Sequence, residues 1–171
     1  MVVDQEEGVK NSQDASVEPR DLDLGYLCLF VGMRLNDLVL EALHRAGHRN
    51  LRHAHGYVFQ HLIGGPRTVT DLARRLDVSQ QAASKAVAEL VALGYLEDAP
   101  SHDRRARTVR LSKRGLSSIE RARAIRGTLE QRLRKRHGPA TIERAKSLLA
   151  RILEDLGGAD AVRARRIRAP R

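Results

Sequence analysis

This 171-residue sequence predicts a mainly α-helical fold carrying one small β-hairpin. Three observations predict it. Apolar residues recur at three- and four-residue steps through most of the chain. With no Trp, two Phe and three Tyr, the core must be built from Leu, Ala, Val and Ile, and such a mixture with abundant Arg and Glu favours helix. One stretch, Tyr95 to Leu111, instead divides into two short extended runs around a turn. The length suits one domain of ordinary size, and a hydrophobic content of 42% is enough for a core.

Residues 1–20 are polar, acidic and aperiodic, and predict a disordered tail. A helical region over 21–50 follows, capped by Asp21 or Asp23, with Leu24, Leu27, Cys28, Val31, Leu35, Leu38 and Ala42 on one stripe. Leu29, Phe30, Val39 and Leu40 widen that stripe beyond what a surface helix needs, which asks for a partner chain. Within 51–115, residues 52–63 predict a short helix with Tyr57, Val58 and Leu62 inward, ended by Gly64-Gly65-Pro66. Thr70 then caps a helix over 70–76 that turns Leu72, Ala73 and Leu76 inward, and Val78 plugs the following turn. Ser79 caps a helix over 79–93, closed by Gly94 in a left-handed conformation. Its buried face is Ala82, Ala83, Ala86, Val87, Leu90 and Leu93, and small alanines there let two helices cross closely, as a helix-turn-helix requires.

Tyr95 to Asp98 and Thr108 to Leu111 read as the strands of a hairpin whose turn runs from Pro100 to Arg107. A hairpin directly after a helix-turn-helix is a wing. Two long helices over 116–157 complete the fold. The first buries Leu116, Ile119, Ala122, Ile125, Leu129 and Leu133; the second starts at Pro139, suited to a first helical position, and buries Ile142, Ala145, Leu149, Ile152 and Leu156. Residues 158–171, with Arg163, Arg165, Arg166, Arg168 and Arg171, predict a basic flexible tail.

The charge points to a partner. The net is +10, yet residues 1–23 hold seven acids against two bases, a net of −5, so the remainder carries +15. So basic a remainder favours a polyanion. The hairpin and its exit, SHDRRARTVRLSKRG (101–115), hold five arginines and one lysine against a single acid, Asp103. On the helix of 79–93 the outward groups near its start are Gln80, Gln81, Ser84 and Lys85, with no carboxylate before Glu89. A recognition helix enters the major groove by its N-terminal residues, so this pattern suits DNA. Gln amides match adenine edges, while Ser79, Ser84 and Lys85 suit phosphates. At the wing tip, Arg104, Arg105 and Arg107 suit a narrow minor groove, and Asp103 is expected to hold Arg105 in place.

From TDLARRLDVSQQAASKAVAELVALGYLEDAPSHDRRARTVRLSKRG, with its Asp103-x-Arg105 wing, the chain resembles the MarR (multiple antibiotic resistance regulator) family of bacterial transcription factors. The resemblance covers about residues 22–157, the winged helix-turn-helix flanked by dimerisation helices. It implies a cytoplasmic homodimer whose first and last helices interlock, binding palindromic double-stranded operators as a repressor. It also implies release by a small molecule, oxidant or metal. Inverted half-sites would each take one recognition helix and one wing.

The effector is left to the histidines and the cysteine. His44, His48, His53, Arg34 and Arg52 could meet the carboxylate of an anionic or aromatic ligand. His44 and His48, one turn apart beside Glu41 and followed by His53, His55 and His61, have a spacing that zinc can use, but no second liganding cluster accompanies them and no metal or cofactor is expected. Cys28, in YLCLFVGMR, resembles the reactive cysteine of the organic-hydroperoxide-resistance regulators of the same family, which gives an oxidant sensor as the alternative. The tyrosines that accompany that cysteine are not evident here, His53 standing near one such position and Gly32 and Ala42 at others.

A lone cysteine fits a reducing compartment, and neither a membrane span nor a signal peptide is expected. The chain shows no Gly-rich phosphate loop, nucleophile elbow or paired carboxylates, so no enzyme is expected. A protein-binding winged helix predicts no clustering of bases at the wing. A less specific architectural DNA binder shares the salt-dependent affinity and differs in lacking a preferred operator.

Overall fold

The computed structural model describes residues 17–100 and 106–163. Seven helices and three short strands are described: α1 (Leu24–Arg45), α2 (His53–Leu62), β1 (Arg67–Thr68), α3 (Val69–Leu76), α4 (Gln80–Ala92), β2 (Leu96–Asp98), β3 (Thr108–Leu111), α5 (Lys113–His137), α6 (Pro139–Asp155) and α7 (Ala159–Arg163). No helix among the described residues is long and apolar enough to cross a membrane.

The chain divides into two units, Met1–Leu35 and Asn36–Arg171, and the boundary falls inside α1. In the first unit, Pro19–Asp21 form a single 3-10 turn where a structureless tail was expected. The Asp23 carboxylate accepts the Tyr26 N–H at 3.0 Å, so Asp23 rather than Asp21 caps α1. Leu24, Tyr26, Leu27, Leu29, Phe30, Val31 and Met33 are all exposed in this chain.

The second unit holds the core. Val39 and Leu43 of α1, Leu51, then Val58, Phe59 and Leu62 of α2 meet Val69, Leu72 and Ala73 of α3 and Ala83, Val87 and Leu90 of α4. Tyr95, Leu96, Val109 and Leu111 close it from the sheet, and Ile119, Ala122, Ile125 and Leu129 of α5 lie against it. The antiparallel sheet runs β1-β3-β2, with Leu96 opposite Leu111, Glu97 opposite Arg110 and Asp98 opposite Val109. In β1, Arg67 lies opposite Val109 and Thr68 opposite Thr108.

β1 explains one correction. Because Arg67 and Thr68 pair with β3, α3 starts at Val69, and its cap is Thr68, whose hydroxyl accepts the Asp71 N–H at 3.1 Å, not Thr70. Val78 does not plug the turn, being 44% exposed; Asp77 makes that turn with a left-handed φ of 58°. On α4, Ala82 faces outward while Ala83, Val87 and Leu90 are buried. Ser79 caps α4 by accepting the Ala82 N–H at 3.1 Å, as its position demanded.

The last two long helices differ most from expectation. Leu116 is exposed, because α5 starts at Lys113 and turns Gly115 and Ser118 inward instead. No residue of α6 is buried in this chain: Ile142 and Ile152 are partly covered, and Ala145 and Leu149 are exposed, as is Leu156 just past its end. Gly138, at a φ of 85°, turns the corner between the two helices, a conformation that favours glycine. Ion pairs from Arg134 to Glu143 and from Lys146 to Glu130 (2.7 Å) then tie them together.

Candidate nucleic-acid interface

The first two turns of α4 present Gln80, Gln81, Ser84 and Lys85 outward, all exposed, while the opposite face enters the core. Ser79 is exposed too; its oxygen is engaged as the cap, leaving its hydroxyl proton for an acceptor outside. The first turn contains no acid, so the partial positive charge of the helix N-terminus is left uncancelled on this face.

Below this helix the wing is anchored through Tyr95, which is 0% exposed. His48 Nδ1 and the Tyr95 hydroxyl share a hydrogen bond of 3.0 Å, the Phe59 ring centroid lies 5.9 Å away, and the Arg114 guanidinium sits 4.6 Å above the phenol ring. Burial, then the charges of Arg114 and Arg121, hold the His48 pKa below its ordinary value. Ser112 binds the junction between wing and α5: its hydroxyl donates to Gly94 O at 2.6 Å and accepts the Gly115 N–H at 3.1 Å, while its own N–H donates to Tyr95 O at 3.0 Å. A Cβ on Gly115 would collide with that Tyr95 carbonyl and press on Leu111, so glycine is required here by a close approach.

Two cross-strand ion pairs lie on the wing. Arg110 Nε donates to Glu97 Oε1 at 2.8 Å across directly opposed positions, and Arg107 Nε donates to Asp98 Oδ1 at 2.8 Å on the diagonal. The hydrogen bond from Arg107 holds the Asp98 pKa below its ordinary value. The sequence reading missed both pairs. Counting outward from the centre of the hairpin, with Leu96 and Leu111 as the apolar ends, would have found Glu97 opposite Arg110. Arg107, expected at the wing tip as a DNA contact, therefore lies immediately before the returning strand β3 and is held by Asp98. Arg104, Arg105 and the expected Asp103–Arg105 pairing lie outside the described residues.

On α3, Asp71 gathers three arginines: Arg74 Nη2 at 2.6 Å, Arg75 Nε at 2.8 Å and Arg67 Nη1 at 3.1 Å. Desolvation pushes its pKa up, but hydrogen bonds from Arg75 and Arg74, the Arg75 charge and the Arg67 hydrogen bond outweigh that and bring it to about 2.

The expected effector residues are engaged one by one. His44 Nε2 donates to Leu51 O at 2.8 Å, and His53 Nε2 meets Asp37 Oδ1 at 2.9 Å. Arg52 pairs with Glu89 of α4, and His48 is committed to Tyr95. The buried His55 ring accepts the Arg52 backbone N–H on Nδ1 at 3.2 Å and turns Nε2 toward Glu89 Oε1 at 3.6 Å. Burial lowers the His55 pKa, with Glu89 opposing and Arg52 reinforcing the shift. Arg34 belongs to the first unit, as does Cys28, whose side chain is exposed. Among the described residues no three His, Cys, Asp or Glu side chains gather as a metal-binding group.

This architecture is similar to that of known proteins. Residues 49–106 match the family model described as MarR family. No curated protein sequence matches the chain. The fold is similar to that of the reduced form of MarR from E. coli, at 24% identity and a TM-score of 0.64, covering 77% of this chain and 97% of that one. It is similar to YusO from Bacillus subtilis at 20% identity and a TM-score of 0.64, covering 79% and 94%. MepR, a transcription regulator of the Staphylococcus aureus multidrug efflux pump MepA, superimposes with a TM-score of 0.64 at 17% identity, covering 79% and 99%. Residues 49–106, less than half of the chain, are thus similar to the MarR family, and the fold around them is a winged helix-turn-helix with flanking helices.

Proposed function

We propose that this protein is a dimeric, cytoplasmic regulator that binds a palindromic DNA operator and represses transcription until a small anionic or aromatic effector releases it. The observation that carries the reading is the start of α4, where Gln80, Gln81, Ser84 and Lys85 are exposed on an acid-free surface whose opposite side is locked into the core. A helix so held can be pressed into a major groove without tilting, and its amides can read base edges. Ser79, Ser84 and Lys85 serve phosphates, and Arg104 and Arg105, which lie outside the described residues, serve the minor groove. Asp98 holds Arg107 at the root of the wing.

The two-fold partner is a second copy of the chain. The apolar residues left exposed on α1 and, separately, Leu148, Leu149 and Leu153 of α6 with Leu156 just past its end support this reading. Patches of this kind on a monomer mark interaction surfaces. Effector release, in this reading, acts through His44, His48 and His53, whose present partners an anionic ligand would have to displace.

The test is selection of binding sequences from random duplex DNA by the full-length protein. Enrichment of an inverted repeat supports the proposal, and Gln81→Ala should then change the preferred base at one position in each half-site. A uniform loss of affinity across sequences would leave Gln81 a positioning contact only. Failure to enrich any sequence would remove the regulator reading in favour of an architectural DNA binder.

A further inference from the structure

α4 contains one acid, Glu89. A carboxylate on a helix that meets a polyanion is a liability in two ways. It repels phosphates, and it can capture a neighbouring cation that phosphates would otherwise use. Lys85 stands one helical turn before Glu89, at the i, i+4 spacing where such capture occurs.

The structure shows where that carboxylate goes. Arg52, at the start of α2, donates from Nη2 to Glu89 Oε2. His55, one turn further along α2 and buried, faces the other oxygen, Oε1, at 3.6 Å. The orientation of the His55 ring is set independently, because its Nδ1 accepts the Arg52 backbone N–H at 3.2 Å. Its Nε2 lies 3.4 Å from Arg52 Nη2 as well as 3.6 Å from Glu89, so the ring packs against both members of the pair. One carboxylate oxygen is therefore held by a permanent cation at the start of α2, and the other lies beside the His55 ring.

We propose that Arg52 is a positioning residue for DNA binding: with His55 beside it, it occupies Glu89, so that α4 approaches the phosphate backbone without a bare carboxylate and with Lys85 uncaptured. The inference rests on the DNA-binding reading of α4. It assigns Arg52 to the helix that reads DNA rather than to an effector pocket. Because Arg52 and Glu89 are both partly exposed, with 63% and 35% of their side-chain surface accessible, breaking the pair leaves the fold in place.

The experiment measures the affinity of the full-length protein for its selected duplex across a salt series, with folding checked by circular dichroism. Arg52→Gln should weaken binding by about tenfold, on the scale of one effective charge at the backbone. Adding Glu89→Gln should bring the double variant back to within about twofold of wild type, since the two side chains act as a unit. Arg52→Lys, which keeps the charge, should retain most of the affinity. Arg52→Gln combined with Asp155→Asn, which restores the same net charge at the end of α6, should stay weak. A double variant as weak as Arg52→Gln, with a salt slope reduced by about one, would mean that Arg52 contacts phosphate itself and would overturn the inference, as would rescue by Asp155→Asn or an unaffected Arg52→Gln. If the wild-type protein selects no duplex, the DNA reading falls first and takes this inference with it.

Discussion

The winged region and α6 use the same aliphatic residues to opposite ends. In the winged region Leu72 and Leu90 are 0% exposed, and the Tyr95 hydroxyl and backbone carbonyl both have partners within the chain. Along α6, Leu148, Leu149 and Leu153 are exposed, and Leu156, just past its end, is 79% exposed. The first region is a closed object that a single chain completes. The second has an apolar face that this chain alone leaves in water, at a cost of about 25 cal/mol for each Å² kept exposed. A binding surface held to its geometry belongs on the closed region, and a surface for a second copy belongs on the open one.

Substitutions should separate the two regions, with the largest effect in the closed core. Leu90→Ala should lower the unfolding free energy by about 3 kcal/mol, read by urea denaturation, and the loss should not depend on protein concentration. Leu149→Glu should do the reverse, converting the proposed dimer to monomer in sedimentation while amide protection persists in the winged region. An unchanged mass would remove α6 from the dimer surface.

Gly115→Ala should cost about 2 kcal/mol, since the added methyl meets the Tyr95 carbonyl, and a thermal midpoint equal to wild type would show that the junction can yield. Asp71→Asn sharpens the account through pH. In the unfolded chain Asp71 takes up a proton near its ordinary 3.8, but in the folded protein only near 2. Its stabilisation is thus whole above the ordinary value and disappears as pH falls through about 2. The substitution should cost on the order of 2 kcal/mol at neutral pH, and the gap to wild type should close between about pH 4 and 2. A gap independent of pH would assign the loss to packing. Asp98→Asn should have the smallest effect, leaving the thermal midpoint in place, because the pair is exposed. It should weaken operator binding several-fold by freeing the root of the wing.

Much of the closed region was legible in the sequence because its signals are local. Ser79 and Gly94 bracket α4, and Val87 and Leu90 recur on its inner face. Thr68 was not legible as a cap, because β1 is two residues long and exists only through pairing with β3, about forty residues away. Glu89 could be seen to be the one acid of α4, but its partners Arg52 and His55 arrive from a separate helix. The leucines of α6 showed their periodicity but not their exposure. Periodicity marks a face that must be covered, and it does not say whether the cover comes from the same chain.

The most direct test of the regulator reading is the ratio of affinities of the full-length protein for its selected inverted repeat and for scrambled duplex of equal length, at one physiological salt concentration. A ratio of about a thousand or more is expected, falling when Gln80 and Gln81 are both replaced by Ala. A ratio near one, unchanged by those replacements, would contradict it.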